Sequence, residues 1–353
     1  MKVRELRLRY FRNVQETLRT LRFFDESTGL VRPLTVLVGS NGSGKSSVFE
    51  VIEGLLSFAL DTVEDRPVTH SLREHGYAAV QLELDESLLF EQMPSSLWIA
   101  LGRKDRAPNG YGELGRQICH LEQRGGPGKP WVRQGGRTAL NRWVGSMVRG
   151  EQPLRGGLLH FPHNRWIEHE QRGAIEPPST TPQWLFHFDP TSHWHGSLSQ
   201  LWVWQNYLDL EQQRDGRDNL APFVEVIEEI LGEDQRIRIR EGHVRIVRPR
   251  YQDEVEPHQL PSGQQQILTL FGEIVRRLRP GAVVLIDELE LSLHPALQRA
   301  VLAHLRRLAR AHDLQVVVTT HSMEIVAAAA AHEVVNLDDM VLEERARATE
   351  VAS

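Results

Sequence analysis

The chain has 353 residues, 40% of them hydrophobic and 25% charged, with a net charge of -6. That length can bury one large core or two modest ones, and the acidic balance excludes a generic polyanion binder, leaving nucleic acid to a local patch. No apolar run approaches bilayer length (the longest is 325–331), so no membrane partner is expected. The start alternates Arg with Val3, Leu6, Leu8 and Tyr10 rather than forming a signal-peptide core, and Cys119 is the lone cysteine. Both point to a cytoplasmic protein without a disulfide framework.

Residues 2–10 and 17–24 read as a strand pair joined at Phe11-Arg12-Asn13. Leu34–Val38 is an apolar, partly β-branched run that predicts a buried strand, and a helix follows to about Leu60. Short strands are expected at 77–84, 97–102, 117–123 and 130–134, separated by turn-rich stretches such as Pro108-Asn109-Gly110, and they predict an antiparallel meander. A short helix is expected over 138–150 and a compact strand over 158–161. From 167 to 231 the sequence reads as helical, with Leu198, Leu201, Trp202, Gln205 and Leu208 at helical spacing, broken around Pro177-Pro178. An arginine-rich hairpin follows, turning at Glu241-Gly242. The last third alternates helix and strand, so a phosphate-binding sheet is interrupted and then resumed.

Between the first buried strand and its helix, Gly39-Ser40-Asn41-Gly42-Ser43-Gly44-Lys45-Ser46 fits G-x-x-x-x-G-K-[ST] at every fixed position. Strand, glycine-rich turn and helix bring backbone N–H groups and a helix N-terminus to one point, which suits a polyphosphate. Lys45 would reach the β- and γ-phosphates, and the Ser46 hydroxyl would ligate Mg²⁺. Far downstream, the strand 282–286 ends in Asp287-Glu288. Carboxylates at the C-terminal edge of a buried parallel strand stand where ligands bind in such sheets. Asp287 would hold Mg²⁺ through water, and Glu288 would act as general base toward the attacking water. Another strand, 316–320, runs into His321, which could donate to a γ-phosphate oxygen. Leu260-Pro261-Ser262-Gly263-Gln264 heads a further helix with Ser262 as its expected N-cap. A second anion-binding helix start suits the nucleotide of another copy of the chain. His160-x-x-His163 and His193-x-His195 lack a cysteine or carboxylate set at ligand spacing and read as structural or surface residues.

Taken together, these segments resemble an ATP-binding-cassette (ABC) ATPase head. The resemblance makes 39–46 the Walker A loop, 260–264 the signature, 282–287 with Glu288 the Walker B segment, and His321 the switch histidine. Within that superfamily the chain is similar to the SMC-like and OLD-like branch. The features are its opening Leu-Arg-Leu-Arg-Tyr-Phe-Arg-Asn, the phrase Gly-Ser-Asn-Gly-Ser-Gly-Lys-Ser-Ser, and Asp-Glu-Leu-Glu-Leu-Ser-Leu-His-Pro at 287–295. Residues 159–165 look like the strand-to-lobe junction of these proteins. The likeness is strong over 1–60 and 255–340. Pro261 stands where the branch usually has serine, with Ser262 as substitute. Gln264 is a mild change, and Leu289 replaces a common proline. Asn164 and Gln81 are the candidates for the Q-loop glutamine position.

The resemblance implies an α/β fold, a P-loop NTPase ABC-type head with an antiparallel β subdomain and an inserted helical lobe. The expected division is 1–76 and 255–353 for the two halves of the core, 77–157 for the β subdomain, and 158–254 for the lobe with its hairpin. ATP and Mg²⁺ are the expected cofactors. Nucleotide contacts are expected from Gly39, Asn41, Gly42, Ser43, Gly44, Lys45, Ser46, Ser47 and Arg12, with Ser262, Gly263 and Gln264 reaching the nucleotide of a partner copy in a head-to-tail homodimer. The chain ends soon after the His321 helix, so it is expected to be a stand-alone ATPase that controls a separate effector such as a nuclease, as in prokaryotic anti-phage defence. The alternative is a RecF-like DNA-repair clamp; a transport cassette is disfavoured by the opening strand and the lobe. Arg236, Arg238 and Arg240 share one strand face and could contact DNA or an acidic partner. A charge-protected edge strand is the plainer reading.

Overall fold

In the computed structural model the phosphate loop grows out of a parallel sheet assembled from segments scattered along the chain. The structure describes residues 1–12, 18–60, 67–84, 96–102, 118–123, 131–133, 136–165, 183–189, 198–212, 221–232 and 235–339. The expected breaks at Pro108–Gly110 and Pro177-Pro178, and the pair His193 and His195, lie outside them.

The first half contains β1 (Lys2–Arg9), β2 (Arg19–Arg22), β3 (Leu34–Val38), α1 (Lys45–Leu60), α2 (Pro67–His75), β4 (Tyr77–Glu83), β5 (Ser96–Gly102), β6 (Ile118–Gln123), β7 (Trp131–Arg133), α3 (Gly136–Val148), β8 (Leu158–Phe161) and β9 (Leu185–His187). The second contains α4 (Leu198–Gln212), α5 (Ala221–Leu231), β10 (Arg236–Arg240), β11 (His243–Arg248), β12 (Asp253–Val255), α6 (Ser262–Arg276), β13 (Val283–Ile286), α7 (Pro295–Ala311), β14 (Gln315–Thr319), α8 (Met323–Ala328) and β15 (Val334–Asn336). The parallel sheet has the order β15-β3-β14-β13-β8-β9, and a second sheet the order β2-β1-β4-β5-β6-β7.

Alternation along the parallel strands explains why both faces are covered. Leu37, Leu158, Val283, Leu285 and Val317 turn to a core shared with α1 and the second sheet. Val36, Leu159, Phe161, Val284, Ile286, Val316 and Val318 turn to a core under α6 and α7. Strands buried on both faces read as continuous apolar runs, which is why they were visible in the sequence. The two sheets are stitched by Gln315, a fully buried side chain. Its Oε1 accepts from Val3 N at 2.7 Å and its Nε2 donates to Val3 O at 2.7 Å, so an amide stands in for a strand neighbour.

Some expectations are corrected. The meander is not wholly antiparallel, because β5 and β6 run parallel. β8, read as the head of the lobe, is a central strand paired with β13. β9 falls in a stretch read as helical, yet pairs in parallel with β8; a three-residue strand gives no periodicity to find. Ser262 is not the N-cap of α6: Pro261 takes that place with extended dihedrals, and Ser262 is the first helical residue. The Leu-His-Pro phrase has a local cause. The His294 side chain caps α7 by accepting from Ala296 N, and Pro295 occupies the first turn, where a missing N–H costs nothing.

Candidate functional site

β3, β14 and β13 lie side by side in parallel, so their C-terminal ends deliver the phosphate loop, the 319–322 turn and the acidic pair to one edge of the sheet. Gly44 adopts φ of +100°, and a Cβ placed there would meet nothing within 4 Å. The glycine therefore answers a backbone conformation that side chains rarely adopt, not a lack of space. The Lys45 ammonium donates to Gly39 O at 2.9 Å and Ser40 O at 3.0 Å, arching over the loop. Burial pulls its pKa below the ordinary lysine value, opposed by the charges of Asp338, Asp287, Glu288 and Glu290. Ser43 Oγ is buried without a hydrogen-bond partner among the described residues. Ser46 is exposed in the first turn of α1.

The acidic pair is held by two other strands. Asp287, 4% exposed, accepts at Oδ1 from Thr319 Oγ1 at 2.6 Å. The same hydroxyl accepts from Glu288 N at 2.8 Å. Glu288 takes φ of +47°, in the left-handed region, a conformation that persists in a non-glycine residue only where the surroundings fix it. Arg165 supplies the other half of that fixation. Its guanidinium donates to Asp287 O at 2.6 Å, Glu288 O at 3.1 Å and Pro162 O at 2.6 Å. Burial pulls Arg165 down to about 10, while Asp287, Glu288 and Glu290 act the other way. Glu290 then ties the neighbouring turn in place, accepting from Thr320 Oγ1 at 2.8 Å and His321 N at 2.6 Å. The His321 side chain is left exposed at this edge.

Ser262 is exposed, whereas Gly263 is buried against the loop that follows the acidic pair. A Cβ on Gly263 would come within 2.4 Å of Ser292 O, so only glycine allows α6 to start so close to that loop. Gln264 is partly buried in the first turn. Arg12 donates to Ser47 Oγ at 2.7 Å and pairs with Glu50 at 2.5 Å, which places it against the first turn of α1. Asn41 and Gly42 are exposed on the loop. Of the Q-loop candidates, Asn164 is exposed beside Arg165, and Gln81 donates to Ser96 Oγ across β4 and β5. The arginines of β10 face carboxylates of their own chain: Arg236 and Arg238 lie 3.8 and 3.4 Å from Glu228, and Arg240 lies 2.5 Å from Glu254.

Arg165, Thr319, Glu290 and Asp338 form the support that sequence reasoning did not assign. Asp338 accepts from Ser40 N at 2.6 Å and Ser40 Oγ at 2.9 Å, fastening the phosphate loop to the end of β15. Arg165 did leave a signal, since it closes the 159–165 phrase. The residues present fit a nucleotide with its metal: a Ser43 hydroxyl unpartnered among the described residues, a lysine donating to loop carbonyls, a helix start, and an exposed Ser46 with carboxylates at the end of β13 on the same sheet edge. The arrangement can hold a polyphosphate, neutralise its charge, and present Glu288 to a water.

Comparison with known proteins agrees with this geometry. The family model described as "AAA domain, putative AbiEii toxin, Type IV TA system" matches residues 160–327. No curated protein matches the sequence. An SMC head solved bound to the C-winged helix domain of ScpA is similar at 12% identity and TM-score 0.52, with 93% of this chain and 92% of that chain covered. The SMC head of Pyrococcus furiosus, solved with an extended coiled coil and the C-terminal domain of ScpA, is similar at 13% identity and TM-score 0.50, covering 93% and 91%. The family model covers just under half of the chain, and the solved structures, at 12% and 13% identity, show that the chain has the fold of an SMC head domain.

Proposed function

We propose that the chain is an ATP-driven switch subunit: two copies close head-to-tail around two MgATP, and hydrolysis reopens them. The observation that carries this reading is the position of Ser262. It is exposed at the first turn of α6, and Gly263 packs that turn onto the loop following Glu288, so a second copy can reach it. In each composite site, Lys45 and the 39–46 backbone of one chain bind the phosphates. Ser46 and Asp287 would hold Mg²⁺, which when bound neutralises charge on the transferring phosphate. Glu288 takes a proton from the attacking water, and His321 donates to the γ-phosphate. Ser262 and Gly263 of the other chain complete the γ-phosphate shell. Arg12 lies close enough to Ser47 to border the nucleotide.

Charge-assisted contacts to phosphate contribute about 1.5–3 kcal/mol each. Moving an equilibrium from 1:99 to 99:1 takes about 5.5 kcal/mol. Two to four γ-phosphate contacts therefore suffice to close the dimer, and losing them suffices to open it. The output is control of a separate effector, a nuclease being the favoured kind, in prokaryotic anti-phage defence. The matched family's description, a toxin of a type IV TA system, supports that setting. Own-chain carboxylates at Arg236, Arg238 and Arg240 weaken the DNA-clamp alternative. The test is Glu288→Gln: it should bind ATP, lose hydrolysis by about 10²–10⁴-fold and elute as a dimer with MgATP. Normal turnover would remove Glu288 from its role.

A further inference from the structure

On the α1 face of the parallel sheet, three ligand-type side chains converge from three elements. His160 of β8 and His187 of β9 are direct partners in the parallel register, so their imidazoles stand side by side on one face. Their ring centroids are 4.9 Å apart at 85°. Glu53 descends from α1, and a single oxygen, Oε2, lies 2.7 Å from His160 Nδ1 and 3.1 Å from His187 Nδ1. All three donor atoms lie within 4.8 Å of one another.

We propose that Glu53, His160 and His187 form a zinc site with three protein ligands and a fourth position open to water. Zinc bonds of about 2.0–2.2 Å in a tetrahedron set ligand atoms about 3.3–3.6 Å apart. The His187–Glu53 pair at 3.1 Å is close to that spacing, and the His160–Glu53 pair at 2.7 Å would open by roughly half an ångström or more to admit the ion. Two imidazoles with one carboxylate suit zinc and disfavour magnesium and calcium, which take oxygen ligands. Glu53 and His160 are almost fully buried, with side chains 4% and 6% exposed, which gives the site a rigid floor. His187 is 39% exposed and supplies both the entry path and the open position. Phe49 packs edge-on against His160 and holds its ring in place. The ion would bolt α1, the helix that begins with Lys45, to the strand whose Phe161 O accepts from Asp287 N. It would therefore brace the two halves of the nucleotide site from behind.

The experiment is zinc content by elemental analysis of the full chain, after equilibration with zinc sulfate and gel filtration without nucleotide. About one equivalent per chain is expected, lost in His187→Gln and kept in His163→Gln, which alters an exposed histidine outside the cluster. Cobalt should give a tetrahedral visible spectrum in the wild type that His187→Gln abolishes while its circular dichroism is unchanged. Zinc absent from the wild type, or retained at one equivalent in both His187→Gln and Glu53→Gln, overturns the assignment.

Discussion

The Thr319 hydroxyl donates to Asp287 Oδ1 at 2.6 Å while accepting from Glu288 N at 2.8 Å, so one side chain on β14 sets both acidic residues at the end of β13. Thr319 is fully buried and Asp287 is 4% exposed, so bulk water does not replace the hydroxyl at Asp287 Oδ1. Thr319→Val keeps the shape and removes both bonds. Leaving buried groups unsatisfied costs about 1–3 kcal/mol. Thermal unfolding should show a loss of that size, and steady-state ATP hydrolysis should fall with it. A Tm and turnover equal to the wild type would mean that the pair is set by other groups.

Arg165 acts on the same two residues through their carbonyls. Arg165→Lys retains the charge but cannot span Pro162 O, Asp287 O and Glu288 O, because an ammonium lacks the planar fork. Glu288 should then relax from its left-handed conformation. Losing one to two bonds of about 1.5 kcal/mol predicts hydrolysis slower by about 10- to 100-fold, with ATP affinity nearly unchanged because Lys45 and its loop are untouched. Single-turnover kinetics beside nucleotide binding would separate the two effects.

Acid stability should depend on Glu53. Burial disfavours its charged form, yet the hydrogen bonds from His160 and His187 outweigh burial and hold its carboxyl well below the ordinary value of 4.5. The unfolded chain then binds the proton more readily than the folded one. The stabilisation is complete above the unfolded value and is lost as pH falls from there toward the folded one. Between about pH 6 and pH 3.5, with chelator present, wild-type Tm should fall more steeply than that of Glu53→Gln. Parallel slopes would contradict the assignment.

The loop and the acidic strand end that meet at the sheet edge were legible because each is local in the chain. A phosphate loop spans 39–46, and an acidic strand end spans 283–288, so spacing and periodicity suffice. The residues that position them were not. Arg165 meets Asp287 across 122 residues, Asp338 meets Ser40 across 298, and His160 meets Glu53 across 107. No periodicity links such pairs; only sheet order brings them together. His160 shows the difference plainly: its sequence neighbours offer no carboxylate at ligand spacing, and the fold delivers one from α1. β9 and the parallel pairing of β5 with β6 escaped for the same reason, being set by neighbours rather than by their own residues.

If each nucleotide site is finished by another copy of the chain, as proposed, two variants inactive alone should complement each other when mixed. Lys45→Ala disables the phosphate loop, and Ser262→Arg disables the surface offered to the partner. A mixed dimer would contain one site with both lesions and one with Lys45 and Ser262 intact. Each variant alone should be inactive, and an equal mixture should recover ATP hydrolysis in a concentration-dependent manner. A mixture as inactive as its components, at concentrations where the wild type turns over, would contradict the account.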